Sequence, residues 1–257
     1  NELRDRAFFF FFSKGFPTRK EERYKYTDIP RLFEPDYGLN LNRLDIPVNP
    51  YDAFKCDVPN LSTSLYFVVN DSFYTQQLPQ ARLPEGVIVD SLSRIATEQP
   101  ELVSRYYGRL ARTDSDGIVA LNTMLAQDGL FIYVPKNVKV DRTIQVLNIL
   151  RSDVDLMVNR RVLIIMEQGA EAKFLFCDHA ADNRRFLATQ VIEAFVGVNA
   201  SLDLYCLEET HLLNTRTSNV YIEQQADSRV NHNVITLHNG VTCNRLDLVF
   251  KGDGAEC

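Results

Sequence analysis

The feature that most constrains the fold of this chain is a weak repeat in its second half. Short stretches of strand-forming residues alternate there with tight turns rich in Gly, Asn or Gln, and each turn carries an alanine. The recurring alanines are 30, 26 and 29 residues apart, at Ala170, Ala200, Ala226 and Ala255. Repeats of this length are typical of solenoids. With strands on both sides of each turn, the pattern predicts a β-helix, in which a small corner residue lets neighbouring coils approach.

Residues 130–250 contain short strand candidates and no convincing helix, so this half of the chain is predicted to be all-β. The pattern predicts nine strands, at residues 130–134, 144–150, 161–166, 172–177, 188–196, 201–207, 218–223, 229–237 and 245–250. A β-sandwich with a series of similar hairpins would give a comparable pattern, and the residues alone leave both folds open.

The first part of the chain has a different organisation. A helical start is interrupted at residues 15–17, and Thr18 to Glu21 match a capping box that predicts a short helix through Lys25. A stretch rich in proline follows, for which we expect little regular structure. Further predictions are strands at 65–69, from residue 73 and at 87–89, and helices from Ser91, from Pro100 and over 118–126, the last stopped by Gly129.

We therefore expect an N-terminal helical and α/β region at residues 1–116 and a β-helix core at residues 117–257. The chain ends on Gly-Ala-Glu-Cys, which resembles the middle of a structural unit. The core is accordingly expected to continue beyond residue 257.

Composition excludes several classes of function. The formal net charge of −6 argues against an extended nucleic-acid surface, which is normally basic. The longest apolar run, Ala7 to Phe12, is far shorter than the roughly 20 residues that a membrane-spanning helix needs. The five cysteines are odd in number and widely spaced, which indicates a reduced, cytoplasmic protein rather than a disulfide framework. We expect neither nucleic acid nor a membrane as partner.

Few residues are candidates for chemistry. Cys177 and His179 would leave the same face of a strand and could bind iron or zinc, although a buried thiol beside a surface histidine is the commoner arrangement. Cys177 and Cys206 follow their repeat alanines by seven and six residues and are predicted to be neighbours in adjacent coils, as stacked core thiols more readily than as a ligand pair. His232 and His238 lack a spacing typical of metal sites.

Catalytic patterns are weaker still. The sequence has no G-x-x-x-x-G-K-[ST] motif, so it lacks a P-loop. Asp203 and Asp247 could be imagined as the carboxylate pair of a β-helical carbohydrate-active enzyme, but surface salt bridges explain single acids of this kind better. No Ser–His–Asp or Cys–His–Asn arrangement can be argued from spacing.

Several segments, in order along nearly the whole chain, resemble the SufD family of iron–sulfur cluster assembly scaffolds. Residues 15–27 read GFPTRKEERYKYT, similar to the family's G-x-P-T-R-[KR]-x-E-x-[WY]-[KR]-Y-T stretch, with Tyr24 where many members carry Trp. The other matching segments are residues 67–73, 83–87, 120–123, 128–136, 161–170 and 252–257. The paralogous SufB family shares the segment around residues 122–136, and the N-terminal stretch favours SufD.

The resemblance implies a right-handed parallel β-helix after an N-terminal α/β region. It also implies a C-terminal segment that contacts the ATPase SufC, and a K-C-S-H-G-A-like motif at a cluster site shared with SufB. This sequence contains neither, so no catalytic, cofactor-binding or metal-binding residue is carried over. A transient iron ion or iron–sulfur cluster at an interface with a partner stays open.

The leading hypothesis is a non-catalytic scaffold subunit for iron–sulfur cluster assembly, working with a SufB-like paralogue and a SufC-like ATPase. Exposed strand edges at the end of a β-helix suit edge-to-edge pairing, and a homodimer could form in the same way in isolation. The alternatives are a SufB-like subunit that carries the cluster and a β-helical carbohydrate-active enzyme, which would need a cluster of acids and bases.

Overall fold

The N-terminal part of the chain combines short helices with short strands. The computed structural model describes residues 2–41, 48–49, 63–75 and 83–257. Its helices are α1 Glu2–Lys14, α2 Ile29–Leu32, α3 Leu92–Glu98, α4 Pro100–Tyr106 and α5 Gly117–Leu125, with a 3₁₀ helix at Glu22–Tyr24. Its first strands are β1 Gly38–Leu39, β2 Thr63–Val69, β3 Ser72–Phe73 and β4 Ile88–Ser91.

The rest of the chain is a β-solenoid of about four turns. Its strands are β5 Leu130–Val134, β6 Thr143–Leu150, β7 Leu156–Met166, β8 Glu171–Ala180, β9 Phe186–Val196, β10 Ser201–Glu209, β11 Thr215–Gln224, β12 Arg229–His238 and β13 Val241–Phe250. All nine strands predicted after residue 130 are thus confirmed, and most extend further than predicted. The chain is mainly β, as expected.

From β5 onward, successive strands alternate between two mainly parallel sheets. Sheet A has the order β13-β11-β9-β7-β5-β4, with β1 also paired to β7, and sheet B has the order β12-β10-β8-β6-β2-β3. Every neighbouring pair is parallel except β4 with β5 and β2 with β3. The prediction of a parallel β-helix is confirmed. Because β2 pairs with β6 over seven residues, the N-terminal region adds strands to the solenoid; the division at residue 116 stays a prediction.

The helices between β4 and β5 begin where the sequence predicts them. The Ser91 side chain accepts a hydrogen bond from the Arg94 amide at 3.1 Å and caps α3. Pro100 lies in the first turn of α4. The Asp116 carboxylate accepts from the Ile118 amide at 2.8 Å and caps α5. These caps satisfy amides that have no partner within the helix.

Two predictions for the part of the chain before β5 are wrong. The capping box at Thr18 leads only to the 3₁₀ turn at 22–24: Glu21 accepts from the Thr18 amide at 3.1 Å, but the Thr18 hydroxyl accepts from Lys20 instead of Glu21. Gly129 does not stop α5, which ends at Leu125. A β-carbon on Gly129 would lie 2.1 Å from the Arg161 carbonyl oxygen, so this glycine allows close approach of two backbones.

The five phenylalanines that begin at Phe8 lie in α1. This helix packs on α5 through a face that includes the buried Ala7, while Phe8, Phe9 and Phe12 are 48%, 68% and 82% exposed. A single helix cannot bury five consecutive side chains against one neighbour, because they point all around its axis.

The repeat marks a real corner of the solenoid, but the prediction that Ala226 belongs to it is wrong. The register places Ala170, Ala200 and Ser228 side by side. Ala226 lies two residues too early, so the corner spacings are 30 and 28 residues rather than 30 and 26. The residue before each corner has a positive φ, and these residues are Asn137, Gly169, Asn199, Asp227 and Gly254. Left-handed backbone geometry explains why Gly, Asn and Asp recur there.

The N-terminal motif is anchored on α5 and on strand β13. The Tyr24 hydroxyl donates to the Asp116 carboxylate at 2.5 Å and accepts from the Arg245 guanidinium at 2.6 Å. The guanidinium also lies over the Tyr24 ring, 4.8 Å from its centre. Burial and the nearby Asp116 raise the pKa of Tyr24. The motif therefore folds through contacts with α5 and β13 rather than as a helix of its own.

Candidate functional site in the solenoid interior

The inward-facing residues of β6 to β13 are the even-numbered ones. Their apolar members form the main core, which includes Ile144, Val146, Phe174 and Phe176. A second apolar cluster, around Leu156 and the start of β9, lies towards the opposite corner. Between the two clusters the inward positions are polar and form what we call the polar layer: Asn148, Arg160, Asp178, Gln190, Glu208, Arg216 and Ser218.

Charged side chains of the polar layer pair with one another across three coils. The Arg160 guanidinium contacts an Asp178 oxygen at 2.5 Å, and Arg216 contacts the other Asp178 oxygen. Arg216 also contacts Glu208, with 3.0 Å between Nε and Oε1. All four side chains are at most 5% exposed. A buried ion pair is held in place mainly by the high cost of leaving either charge alone.

The two buried carboxylates respond differently to this environment. Burial raises the pKa of Asp178, but Arg160 and Arg216 lower it more, so that its pKa lies below the ordinary value. Burial dominates at Glu208, and its pKa is raised despite the neighbouring Arg216. Asp178 is therefore the charged centre of the network and Glu208 its weaker acid.

A cavity of about 280 Å³ adjoins the polar layer and is lined by residues of β9 to β13. Its polar wall includes Gln190, Cys206, Arg216, Ser218, His232 and Asn244. The Cys206 side chain is 6% exposed, and burial raises its pKa to about 12. Burial also lowers the pKa of His232, whose Nε2 has no hydrogen-bond partner among the described residues. The cavity thus presents a neutral thiol and a neutral imidazole.

Cys177 and His179 lie on one face of β8, as predicted, but that face is the outer one. Cys177 is fully buried in a cluster with Phe67, Leu147 and Ile149. Gln145 donates to its sulfur at 3.7 Å. The buried-thiol arrangement fits Cys177; His179, at 5% exposure, is buried rather than a surface residue.

The predicted stacking of Cys177 on Cys206 is wrong. In the register of β8 and β10, Cys177 pairs with Leu207 and Cys206 pairs with Phe176. Cys177 follows its corner alanine by an odd number of residues and Cys206 by an even number. A shift of one residue turns a side chain to the other face of a sheet. The two thiols therefore lie on opposite faces of sheet B.

The remaining candidates are separated in the structure. Asp203 contacts Lys173 on sheet B at 3.4 Å, and Asp247 contacts Arg23 on the outer face of sheet A at 3.3 Å, so both form surface salt bridges, as expected. In the part of the chain that the structure describes, no group of three or more His, Cys, Asp or Glu side chains is placed to hold a metal ion. Cys56 lies outside the described residues.

Comparison with known proteins agrees with this architecture. Residues 1–146 match the family model of the SufBD protein N-terminal region. Residues 149–257 match the model of the SUF system FeS cluster assembly, SufBD core domain. The chain belongs to the SufBD family. The resemblance identified from the sequence motifs is thereby confirmed.

Individual relatives of this SufBD chain are distant and longer. The iron–sulfur cluster assembly SufBD family protein ABCI9 of Arabidopsis thaliana is 26% identical over 176 residues, which are 68% of this chain and 35% of the relative. The iron–sulfur cluster assembly protein SufD of Bacillus subtilis is 25% identical over 205 residues, 77% of this chain and 46% of the relative. The chain thus spans less than half the length of these relatives. Among its described helices, none has the length and apolarity to cross a bilayer.

Sequence reasoning missed the polar layer of this SufBD chain. Arg160 follows Val158 and precedes Val162 at spacings of two, and Asp178 follows Phe176 in the same way. A charged residue two positions from an inward apolar residue on the same strand faces the interior as well, and this spacing is the sequence pattern that could indicate the polar layer. Such a signal becomes readable only when the coil register is known, because the same residues are also typical of turns.

Proposed function

We propose that this SufBD chain is a non-catalytic scaffold subunit for iron–sulfur cluster assembly, in a complex with a SufB-like paralogue and a SufC-like ATPase. The observation that carries the proposal is that both SufBD family models match, in order and almost without a gap, along the chain. The relatives are named as cluster assembly proteins, one of them SufD. A cytoplasmic location is part of the proposal and is supported by four free cysteines among the described residues.

The interior of the solenoid supports a structural role. The charged residues of the polar layer are ion-paired with one another, as Arg160 is with Asp178. Catalytic acids and bases usually need a free face towards a substrate. The lack of a P-loop in the sequence fits a subunit that depends on a separate ATPase.

Co-purification tests this proposal. The tagged full chain is co-expressed with the SufB-like and SufC-like proteins of its host, together and one at a time, and the mass of each complex is measured by light scattering after size-exclusion chromatography. We expect a stable heteromeric complex when all three are present. A chain that elutes alone, or as a homodimer indifferent to both partners, would refute the proposal.

A further inference from the structure

The cavity lined by β9 to β13 brings a thiol and an imidazole together. In the parallel register of β10 and β12, Cys206 lies beside Val234 and Leu204 beside His232. Cys206 and His232 are thus diagonal neighbours on the inward face, with Cα atoms roughly 8 Å apart from strand spacing and rise. Both side chains line the same cavity.

The surroundings leave these two groups available. Arg216 forms ion pairs with Asp178 and Glu208. These pairs balance the charge of the guanidinium and occupy both carboxylates, so neither Cys206 nor His232 is needed as a partner for them. The buried Nε2 of His232 has no hydrogen-bond partner among the described residues. A buried imidazole nitrogen without a partner is costly and needs an explanation, such as an ion or a water molecule.

Thiolate with imidazole is a ligand combination that suits borderline-soft transition metals such as Zn²⁺, Fe²⁺ and Co²⁺. Ligand bonds of about 2.0–2.3 Å to nitrogen and sulfur would bridge side chains that converge from diagonal positions. Water would complete the coordination, because the cavity has room for it.

We propose that Cys206 and His232 bind one borderline-soft divalent transition-metal ion inside the solenoid. On binding, the Cys206 thiol releases its proton to solvent and the thiolate coordinates the metal ion. No electron is transferred. Identifying the bound ion as Fe²⁺, the cargo of cluster assembly, rests on the proposed function; the binding itself does not. Affinity should rise with pH, because the ligands must be deprotonated.

Cobalt titration tests the site. The full chain, with Cys56, Cys243 and Cys257 replaced by serine, is titrated anaerobically with Co²⁺ alone, and the thiolate-to-cobalt charge-transfer band in the near ultraviolet is recorded. We expect one equivalent to bind. Cys206→Ser should abolish the band and His232→Gln should weaken binding at least about tenfold. Cys177→Ser, which removes a thiol on the outer face, is the matched control and should leave the band unchanged.

A second measurement uses the unaltered protein and so does not depend on the folding of variants. Co²⁺ should slow alkylation of Cys206 but not of the exposed Cys257, as followed by mass spectrometry. No charge-transfer band, a band that survives Cys206→Ser, or equal protection of both thiols would overturn the site. If the chain binds cobalt but forms no heteromeric complex with the SufB-like and SufC-like proteins, only the proposed function is refuted. If it forms the complex but binds no cobalt, only the metal site is refuted.

Discussion

Arg161 and Glu193 form an ion pair of 2.6 Å on adjacent strands of sheet A, and neither side chain is exposed. Glu193 also accepts hydrogen bonds from the Gly108, Leu110 and Ala111 amides, at 2.8, 2.9 and 3.1 Å. One carboxylate thus bonds to an arginine and to three backbone amides of the segment after α4. This pair fixes the N-terminal region to the outer face of the solenoid.

Removing the Glu193 carboxylate should therefore be costly. We expect Glu193→Ala to lower the free energy of unfolding by about 3–5 kcal/mol, because it leaves Arg161 buried without its partner. Glu193→Gln should cost less, since its amide oxygen still accepts from backbone amides. Urea denaturation measures both. As a control, Glu171→Ala breaks the exposed pair with Lys139 and should cost at most about 1 kcal/mol. Equal losses for Glu171→Ala and Glu193→Ala would contradict this account.

The polar layer predicts two pH dependences of opposite sign. The folded-state pKa of Asp178 is below its ordinary value of about 3.9, so its contribution to stability is present above that value and is lost as pH falls through the folded pKa. The pKa of Glu208 is raised, so its contribution is present below about 4.3 and is lost as pH rises through the folded pKa.

Unfolding free energies measured in urea between pH 3 and 8 separate the two effects. Asp178→Asn should destabilise the protein at pH 7 and flatten the loss of stability in acid. The unaltered protein should lose stability as the pH rises above the unfolded pKa of Glu208, because the buried carboxyl must then ionise. Glu208→Gln should remove this loss. If both variants altered the pH dependence of the unfolding free energy in the same direction, the two carboxylates could not have the different environments described.

The sequence predicts the fold of this chain well where local signals and tertiary structure agree. The strands after Leu130 and the helix that starts at Ser91 are encoded locally, so they can be predicted without knowledge of the fold. Thr18 shows the opposite case, because its capping box is overridden by the contacts of Tyr24 with Asp116 and Arg245. Tertiary contacts outweigh the small local preference.

The interior site was harder to predict because it depends on the register. The similar spacing after the corner alanines predicts that Cys206 stacks on Cys177. The two spacings differ by one residue, and one residue is enough to place the thiols on opposite faces. His232 reaches the cavity from the next coil, 26 residues away in sequence. Spacing within a segment cannot reveal a pair that only stacking of coils creates.

Gly129 offers a test of the close backbone approach that replaces its predicted role as a helix stop. A β-carbon there would lie 2.1 Å from the Arg161 carbonyl oxygen, whereas at Gly38 the nearest atom would be at 3.4 Å, an ordinary contact. Gly129→Ala should therefore destabilise the protein by about 1–3 kcal/mol or more, and Gly38→Ala by much less. Thermal unfolding of the two variants makes the comparison. A harmless Gly129→Ala would contradict the close approach of the two backbones.

The corner column provides the sharpest test of the register. Ser228 is fully buried where the neighbouring coils carry Ala170 and Ala200, and its hydroxyl donates to the Gln225 carbonyl at 2.7 Å. Ser228→Ala should lower stability by only about 1 kcal/mol. It loses the bond to the Gln225 carbonyl and the 3.3 Å bond from the Gln224 side-chain amide, but that amide keeps the Glu256 carbonyl as an acceptor at 2.9 Å. Ala200→Val should cost about 1–3 kcal/mol, since a larger side chain must enter a packed corner.

The alternative register, with Ala226 in the column, predicts a different order. Ala226→Val would then be as damaging as Ala200→Val, and Ser228→Val would be tolerated on the far side of the turn. In the observed register Ser228→Val is the damaging change, because residue 228 is enclosed between coils and has no exposed surface. Midpoints of urea unfolding for the three valine variants decide between the two registers, and an unaffected Ser228→Val would exclude the observed one.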